Sequence, residues 1–389
     1  MTSGGREVVI VEAVRTPIGR GSRENGYYRD VHPSDLLGRC YREVVYRAGI
    51  DPALVEDVIT GCVQQYGEQS YNVGRNAWLQ AGLPIETPAT TLDRQCGSGQ
   101  QAVNFGAALV ATGVHDAVIG SGVEHLGRIP MFVGRSFVDQ VGVPWTPALM
   151  DLYPLVDQGT SAEMMAEKWS IPREELDELG LRSHVLAAQA TDEGRFEREM
   201  VAISVNGNTY TTDQGIRRDT SLEALAQLPP AFKPDGVVTA GNSSQISDGA
   251  AAVLLVSREK ADELGLRPRA RIVDQTTVGV DPVLMLTGPI PATRKVLERN
   301  GLTIDDLDLI EVNEAFASVV AAWRRELEPD MERVNVNGGA IALGHPLGST
   351  GARLLTTLLH ELERSDKEVG LVTMCCGGGI GTATLIQRV

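Results

Sequence analysis

Short runs of apolar residues alternate along the chain with longer stretches in which apolar positions recur every three or four residues. The first pattern is typical of strands buried on both faces of a sheet, and the second of amphipathic helices. An apolar run at 8–11 is followed by a helical pattern over 35–48 and by another apolar run at 58–59. Because the two patterns alternate, the chain is predicted to have an α/β fold. Further strands are predicted at 117–119, 252–256, 271–273, 309–310 and 370–374.

The first and last parts of the chain contain similar segments in the same order, separated by about 250–260 residues. Such a repeat favours two copies of one α/β fold, each contributing a set of layers. The matching segments are 10–12 with 272–274, 56–59 with 307–310, and the turn, helix and strand of 96–121 with those of 347–374.

The region between the two copies is predicted to be an insertion, 125–247. It contains a piece rich in proline and aromatic residues at 130–154, then two amphipathic helices at 161–169 and 174–190. A polar stretch, 206–219, is predicted to be a surface loop, where binding residues tend to collect. The predicted division is therefore an N-terminal half of 1–124 plus 248–270, the insertion, and a C-terminal half of 271–389.

Composition excludes several classes of protein. The 389 residues include 35 Lys and Arg against 51 Asp and Glu, a net charge of −16 that disfavours a nucleic-acid partner. No apolar run approaches the roughly 20 residues of a membrane-spanning helix. Five cysteines, an odd number, without a signal-like N-terminal stretch favour a reducing compartment, and a cytoplasmic protein is expected.

Cys96 is the first candidate for chemistry. It follows a predicted strand and precedes a stretch of small and apolar residues, 101–111, that suits a buried helix. Unpaired N–H groups and the dipole at a helix N-terminus favour a thiolate, which is the nucleophilic form of cysteine. A lone cysteine is, however, more often a small buried hydrophobic residue, so the role depends on its neighbours.

Three more polar residues lie at strand ends or in turns. His345 stands between Gly344 and Pro346, and its imidazole is a natural base for a thiol, although a histidine bonded to local backbone is the alternative. Cys375 ends an apolar strand that runs into a glycine turn, where N–H groups can face a ligand. Asn313 follows another apolar strand, a position where asparagine is usually a helix cap.

Taken together, these segments resemble the thiolases, the coenzyme-A-dependent acyltransferases, over essentially the whole chain. The resemblance implies the thiolase fold, two duplicated halves layered α-β-α-β-α with an inserted loop domain. It rests on six motifs in order: Arg-Thr-Pro-Ile-Gly at 15–19, Cys-Gly-Ser-Gly at 96–99, Thr-Ala-Gly-Asn-Ser-Ser at 239–244, Asn-Glu-Ala-Phe at 313–316, Gly-His-Pro at 344–346 and Cys-Cys-Gly-Gly-Gly at 375–379.

The resemblance also implies roles for individual residues. Cys96, activated by His345, would take up an acyl group from a thioester, and Cys375 would carry a proton to or from the α-carbon of the second acyl-CoA. The backbone N–H groups of Cys96 and Gly377 would form one oxyanion hole, and His345 with a water held by Asn313 would form the other.

Coenzyme A would be a substrate, with no permanently bound cofactor and no metal. Its binding residues would be Arg217, Ser244 and Phe316. The expected assembly is a homodimer or homotetramer. One departure concerns the pantetheine loop: many biosynthetic thiolases have His-Met-Gly where this chain has Asp-Gln-Gly at 157–159.

The implied reaction is thiolytic cleavage of a 3-oxoacyl-CoA, as in fatty-acid β-oxidation, or the reverse condensation. Acetyl-CoA acetyltransferase activity on acetoacetyl-CoA and action on steroid side-chain CoA esters remain alternatives. A ketoacyl synthase fits less well, because Asn313 and Cys375 stand where it has histidines. A metal site lacks the usual ligand spacing. A non-catalytic carrier of acyl-CoA or lipid is the alternative outside enzymes.

Overall fold

A computed structural model describes residues 5–389. The strands are β1 Val8–Arg15, β2 Gly19–Arg20, β3 Asp57–Gly61, β4 Ala89–Leu92, β5 Ala117–His125, β6 Ile203–Val205, β7 Asn208–Tyr210, β8 Ser247–Ser257, β9 Ala270–Gly279, β10 Leu309–Val312, β11 Val369–Cys376 and β12 Ile380–Arg388. The α-helices are α1 Pro33–Ala48, α2 Val73–Gln80, α3 Ser98–Ala111, α4 Val138–Val141, α5 Pro147–Leu152, α6 Gln158–Lys168, α7 Arg173–Asp192, α8 Leu222–Ala226, α9 Arg258–Leu264, α10 Pro289–Asn300, α11 Ala317–Leu327, α12 Ala340–Leu343 and α13 Leu347–Arg364. Short 3₁₀ turns lie at Pro52–Leu54, Gly67–Gln69, Val133–Phe137, Met285–Thr287, Ile304–Asp306 and Met331–Arg333.

The strand order repeats, which confirms the predicted duplication. The first half is ordered β4-β3-β5-β8-β1, and the second β10-β11-β12-β9. An isolated parallel bridge from Val334 to Ile310 takes the place of β4 in the second half. In both halves a parallel pair, β3 with β5 or β10 with β11, is followed by two antiparallel strands.

The two half-sheets are joined at their edges. Val9 pairs with Arg271 and Ile10 with Ala270, so that β1 and β9 connect the halves into one ten-stranded sheet that also includes β2. The contact between the edges covers only two residue pairs, because β1 otherwise pairs with β8 and β9 with β12. Each half therefore keeps its own sheet surface for helices on both faces.

Helices α3 and α13 form the central layer between the half-sheets. They pack against each other, α3 against β3 and β5, and α13 against β5, β8 and β11. Small residues allow this approach: a Cβ on Gly348 would lie 2.5 Å from a backbone oxygen of β5. Helices α1 and α2 cover the outer face of the first half, and α10 and α11 that of the second. The predicted α-β-α-β-α layering is confirmed.

The region between β5 and β8 holds α4 to α8 and a two-stranded hairpin, β6 with β7. The prediction of an irregular loop over 206–219 is therefore wrong at its start. Asn206 and Gly207 both have positive φ, 49° and 81°, and the Asn-Gly dipeptide is a strong signal for a two-residue hairpin turn. Within residues 5–389, no helix is long and apolar enough to cross a bilayer.

Candidate active site

Cys96 lies in a tight turn between β4 and α3, as the sequence predicted. Gln95, just before it, has a φ of +50°. The hydroxyl of Ser98 closes the turn, because it accepts a hydrogen bond from the Arg94 N–H at 2.8 Å and donates to the Gln95 carbonyl at 2.6 Å. The Cys96 side chain is buried. The turn therefore holds the sulfur in a defined place at the start of the central helix layer.

The surroundings of the Cys96 sulfur decide its ionisation. Burial raises the pKa of the thiol to about 11, although the Gln158 amide and the N–H groups of Gly377 and of Cys96 itself lower it. Gln158 Nε2 lies 4.0 Å from Cys96 Sγ. Without substrate, burial outweighs the helix N-terminus that was expected to favour the thiolate. These donors can hold a negative charge once it forms.

The end of β11 brings two more thiols next to Cys96. Cys375 and Cys376 are buried. A Cβ on Gly97 would lie 2.6 Å from Cys376 Sγ, so a glycine is needed beside this strand end. Burial and then the charge of Cys96 raise the pKa of Cys375 well above its usual range. The two cysteines singled out in the sequence therefore come from neighbouring elements, and the charge of Cys96 reaches Cys375.

His345 lies in the loop between α12 and α13 and is fixed on both sides. Its Nδ1 is 2.7 Å from Thr350 Oγ1, and that hydroxyl donates to the Pro346 carbonyl at 3.0 Å. With the one hydroxyl proton given to that carbonyl, Nδ1–H is assigned as the donor to Thr350. Nε2 is then unprotonated and lies 3.4 Å from Asn313 Nδ2. Burial and the charge of Arg353 lower the pKa of His345 to about 3, so the ring is neutral near pH 7.

Asn313 links the histidine to the cysteine strand. It follows β10, which pairs in parallel with β11, and its N–H donates to the Thr373 carbonyl at 3.1 Å. Among the described residues, its buried Oδ1 has no hydrogen-bond partner. Asn313 is therefore not an ordinary helix cap. It presents one amide hydrogen to His345 and leaves an acceptor for a further group.

The residues implied for coenzyme A lie around the loop of His345. The Gln245 amide donates to the carbonyls of Gly215 and Ala342 at 3.0 Å each, and the Gln245 carbonyl accepts from the His345 N–H. Two of the residues implied for coenzyme A are close to these positions in the chain: Ser244 precedes Gln245, and Arg217 lies two residues after Gly215. Ser244 is half-buried, and its N–H donates to the Ala315 carbonyl. Phe316 packs edge-on against Phe232. Arg217 is exposed, and its N–H donates to His184 Nδ1.

A groove opens beside the Cys96 turn. This side groove has a volume of about 580 Å³, within the range of small-molecule sites, and part of the 130–154 piece forms one wall. Its lining is mostly apolar. The residues that line it are Asp93, Arg94, Gln95, Phe132, Arg135, Pro144, Trp145, Leu155, Val156, Asp157, Gln158, Pro282, Met285, Gly377, Gly378 and Ile380.

The chain matches the models of one protein family along nearly its whole length. Residues 8–259 match the N-terminal domain of thiolase and residues 266–388 match its C-terminal domain. The chain belongs to the thiolase family.

Individual relatives of this thiolase match along their full length. A steroid 3-ketoacyl-CoA thiolase of Mycobacterium tuberculosis is 45% identical over 399 residues, covering 100% of this chain and 97% of that protein. An acetyl-CoA acetyltransferase of Syntrophomonas wolfei is 44% identical, covering 98% and 99%. The crystal structure of the Bacillus anthracis acetyl-CoA acetyltransferase superposes with a TM-score of 0.91 at 40% identity, covering 100% of both chains. The protein is therefore a thiolase enzyme, a CoA-dependent acyltransferase.

The structure shows what Asp157 does at 157–159, where this thiolase departs from the motif of many biosynthetic relatives. Asp157 caps α6, accepting hydrogen bonds from the Thr160 N–H at 3.0 Å and hydroxyl at 2.9 Å. The cap places Gln158 in the first turn of α6, within reach of Cys96. Sequence reasoning noted this substitution without assigning Gln158 a contact with the sulfur, because nothing local to 157–159 reveals a sulfur 62 residues earlier.

The contact between Thr350 and His345 was also not predicted from the sequence. Thr350 lies five residues after His345 in the first turn of α13, so the two side chains are close enough along the chain to have been paired. Metal ligation has no support in the described part of the thiolase, where no group of three or more His, Cys, Asp or Glu side chains could hold an ion.

Proposed function

We propose that this thiolase cleaves 3-oxoacyl-CoA thioesters with coenzyme A, and runs the reverse condensation, through an acyl group carried on Cys96. The observation that carries the proposal is the meeting of two thiols and one fixed imidazole at adjoining strand and helix ends. The charge of Cys96 reaches Cys375, and Asn313 joins His345 to the end of β11. Such a grouping provides a nucleophile, a base and a second proton carrier.

In the first half-reaction, Nε2 of His345 takes the proton of Cys96, and the sulfur attacks the C3 carbonyl of the substrate. The bond between C2 and C3 breaks, the acyl part stays on sulfur as a thioester, and the electron pair passes to C2. Cys375 gives its proton to C2, and acetyl-CoA leaves. The fixed tautomer suits this step, because Nε2 lacks a proton and Nδ1 is held by Thr350.

In the second half-reaction, a new CoA thiol gives its proton to the deprotonated Cys375 and attacks the acyl group on Cys96. The acyl-CoA product leaves, and the Cys96 thiolate recovers the proton held on His345. Each step also forms an oxyanion that needs fixed donors. The N–H groups of Cys96 and Gly377 serve one of them, and His345 with a water held by Asn313 serves the other.

Coenzyme A lies, in this proposal, along the Arg217, Ser244 and Phe316 side of the site. The exposed guanidinium of Arg217 supplies local positive charge to a nucleotide on a protein of net charge −16. Phe316 and Phe232 offer an apolar wall for the pantetheine arm. The acyl part then extends toward the side groove, which begins beside Gln95, Gln158 and Gly377.

The side groove favours a degradative thiolase with room for a long or bulky acyl group over an enzyme restricted to acetoacetyl-CoA. The relatives include both kinds, and one is named for steroid substrates. We place the enzyme in the cytoplasm, because two of its reacting groups are thiols that must stay reduced. A homodimer or homotetramer is the expected assembly.

Thiolysis of a series of 3-oxoacyl-CoA substrates, from acetoacetyl-CoA upward in chain length, tests the proposal. We expect turnover that rises with chain length before falling, and loss of turnover in Cys96→Ser. Given a simple acyl-CoA, whose thiolate can leave without an acid, Cys375→Ala should still take up an acyl group at Cys96, yet it should fail to cleave a 3-oxoacyl-CoA, because C2 then has no proton donor. Binding of acyl-CoA without any turnover would favour the non-catalytic carrier instead.

A further inference from the structure

Two arginines line the side groove without an acidic partner. Arg94 and Arg135 both face it, and within residues 5–389 no carboxylate oxygen lies within 4.0 Å of either guanidinium. Many other arginines of this acidic chain are paired, for example Arg218 with Asp192 at 2.8 Å and Arg299 with Asp274. The groove therefore brings two unpaired guanidiniums to one lining.

The surroundings of the two guanidiniums differ. Arg94 Nε is buried and has no hydrogen-bond partner among the described residues. Arg135 is exposed at the opening, and its guanidinium lies over the Phe132 ring, 4.3 Å from the centroid. A donor that burial separates from water is costly to leave unpaired, so Arg94 favours a ligand that brings an acceptor. Arg135 adds positive charge at the outer end.

The two acidic residues of the groove, Asp93 and Asp157, offset these charges in sum, but both carboxylates are hydrogen-bonded to other groups and neither lies within 4.0 Å of a guanidinium. Asp93 accepts a hydrogen bond from the Gln95 N–H at 2.6 Å and others from the Gln95 amide at 3.1 and 3.3 Å. Asp157 is the cap of α6. The rest of the lining is apolar or amide, including Trp145, Met285 and the other residues given above.

The groove therefore combines an apolar wall with two cationic groups whose hydrogen-bond donors are free, and it begins beside the nucleophile. We propose that it binds the acyl part of a substrate that ends in a carboxylate, so that the preferred substrates are CoA thioesters of 3-oxo dicarboxylic acids. This inference rests on the proposed function, because it assumes that the acyl group on Cys96 points into the groove. A carboxylate matches the guanidinium fork, and an apolar chain matches the wall.

The CoA phosphates are the other anions that could meet these arginines. They belong to the proposed CoA side, where Arg217 lies, and Arg217 does not line the groove. The experiment must separate the two sources, because a guanidinium binds phosphate and carboxylate alike.

The test compares two substrates of equal chain length, 3-oxodecanoyl-CoA and the C1 thioester of CoA with 3-oxodecanedioic acid. With the wild-type enzyme, we expect kcat/KM for thiolysis to be about tenfold higher for the dicarboxylic substrate, the size of one charge-assisted hydrogen bond. Arg135→Met should reduce that preference by lowering kcat/KM for this substrate alone, and Arg94→Met should lower the ratio of kcat/KM between the two substrates, whatever it does to both rates through the turn of Cys96. Arg135→Lys should keep part of it, because the charge remains.

Arg42→Met is the matched control. Arg42 is exposed on α1, lies outside the groove, and within the described chain has no carboxylate within 4.0 Å. The variant removes the same charge and should leave the ratio of the two substrates unchanged.

A ratio near one in the wild type, with turnover of both substrates, would overturn the inference and leave the proposed function standing. A rise in KM for free CoA in Arg135→Met, equal with both substrates, would assign the arginine to the phosphates and also overturn it. Absence of turnover with both substrates and of any acyl group on Cys96 would contradict the proposed function itself.

Discussion

The bond between His345 and Thr350 gives the sharpest prediction about the site. Thr350→Val keeps the shape of the side chain but removes the only hydroxyl that accepts the Nδ1 proton, at 2.7 Å. Both residues are buried, so water cannot readily replace the hydroxyl. The imidazole then keeps an unpaired Nδ1–H, or it moves the proton to Nε2. In the second case Nε2–H faces the Asn313 amide donor and can no longer take the proton of Cys96.

The size of the effect follows from the lost partner. A buried polar group left unpaired costs about 1–3 kcal/mol. Since each 1.4 kcal/mol is tenfold in rate, we expect the rate of Cys96 acylation to fall by about tenfold to a hundredfold in Thr350→Val. The affinity for CoA should change little, because Thr350 is buried and lines neither the side groove nor the cleft around Arg217.

Rapid mixing with a 3-oxoacyl-CoA, followed by quenching and measurement of the acyl group on protein, reports this rate directly. Thr350→Ser is the matched control, since it keeps the hydroxyl and should retain most of the wild-type rate. Thermal unfolding of both variants separates a loss of folded protein from a loss of rate. Equal acylation rates in wild type, Thr350→Val and Thr350→Ser would refute the claim that this bond fixes the imidazole.

Three further predictions concern ionisation, packing and the second thiol. The rate of iodoacetamide alkylation of Cys96 should rise with pH through a midpoint near 11, because only the thiolate reacts. Gln158→Met should move that midpoint upward, because it removes an N–H donor to the sulfur, and an unchanged midpoint would contradict the contact between Gln158 and Cys96. Gly348→Ala should lower the free energy of unfolding by about 2 kcal/mol or more, whereas Gly279→Ala, which meets nothing within 4 Å, should change it little in the same denaturant titration. Incubated with a simple acyl-CoA, Cys375→Ala should show the acyl form of Cys96 in a mass spectrum while cleaving no 3-oxoacyl-CoA, and normal turnover would end its assignment as proton carrier.

Much of the fold could be predicted because its signals are local. Buried strands such as β5 and β11 are short apolar runs, and the polar residues that follow β10 and β11 mark strand ends. The duplication was visible because the matching segments keep their order and nearly their spacing. The hairpin of β6 and β7 was missed despite its Asn-Gly turn, since its strands are three residues each and too short for a clear alternation.

The candidate site was less accessible, since its contacts join distant parts of the chain. The types of residue at Cys96, His345 and Cys375 indicate their chemistry, but the contact of Gln158 with Cys96 depends on how α6 packs against α11 and the turn Met285–Thr287. The ionisation state also required the structure. A helix N-terminus favours a thiolate, yet the depth of burial around Cys96 and His345, which sequence does not reveal, raises one pKa and lowers the other.

The proposed mechanism depends on Cys96 as the residue that receives the acyl group, and peptide mapping after incubation with a 3-oxoacyl-CoA tests this directly. We expect the mass of one acyl group on the peptide containing Cys96, its removal when free CoA is added, and its absence in Cys96→Ser. An acyl group on Cys375 or Cys376 in place of Cys96, or turnover that persists in Cys96→Ser, would contradict it.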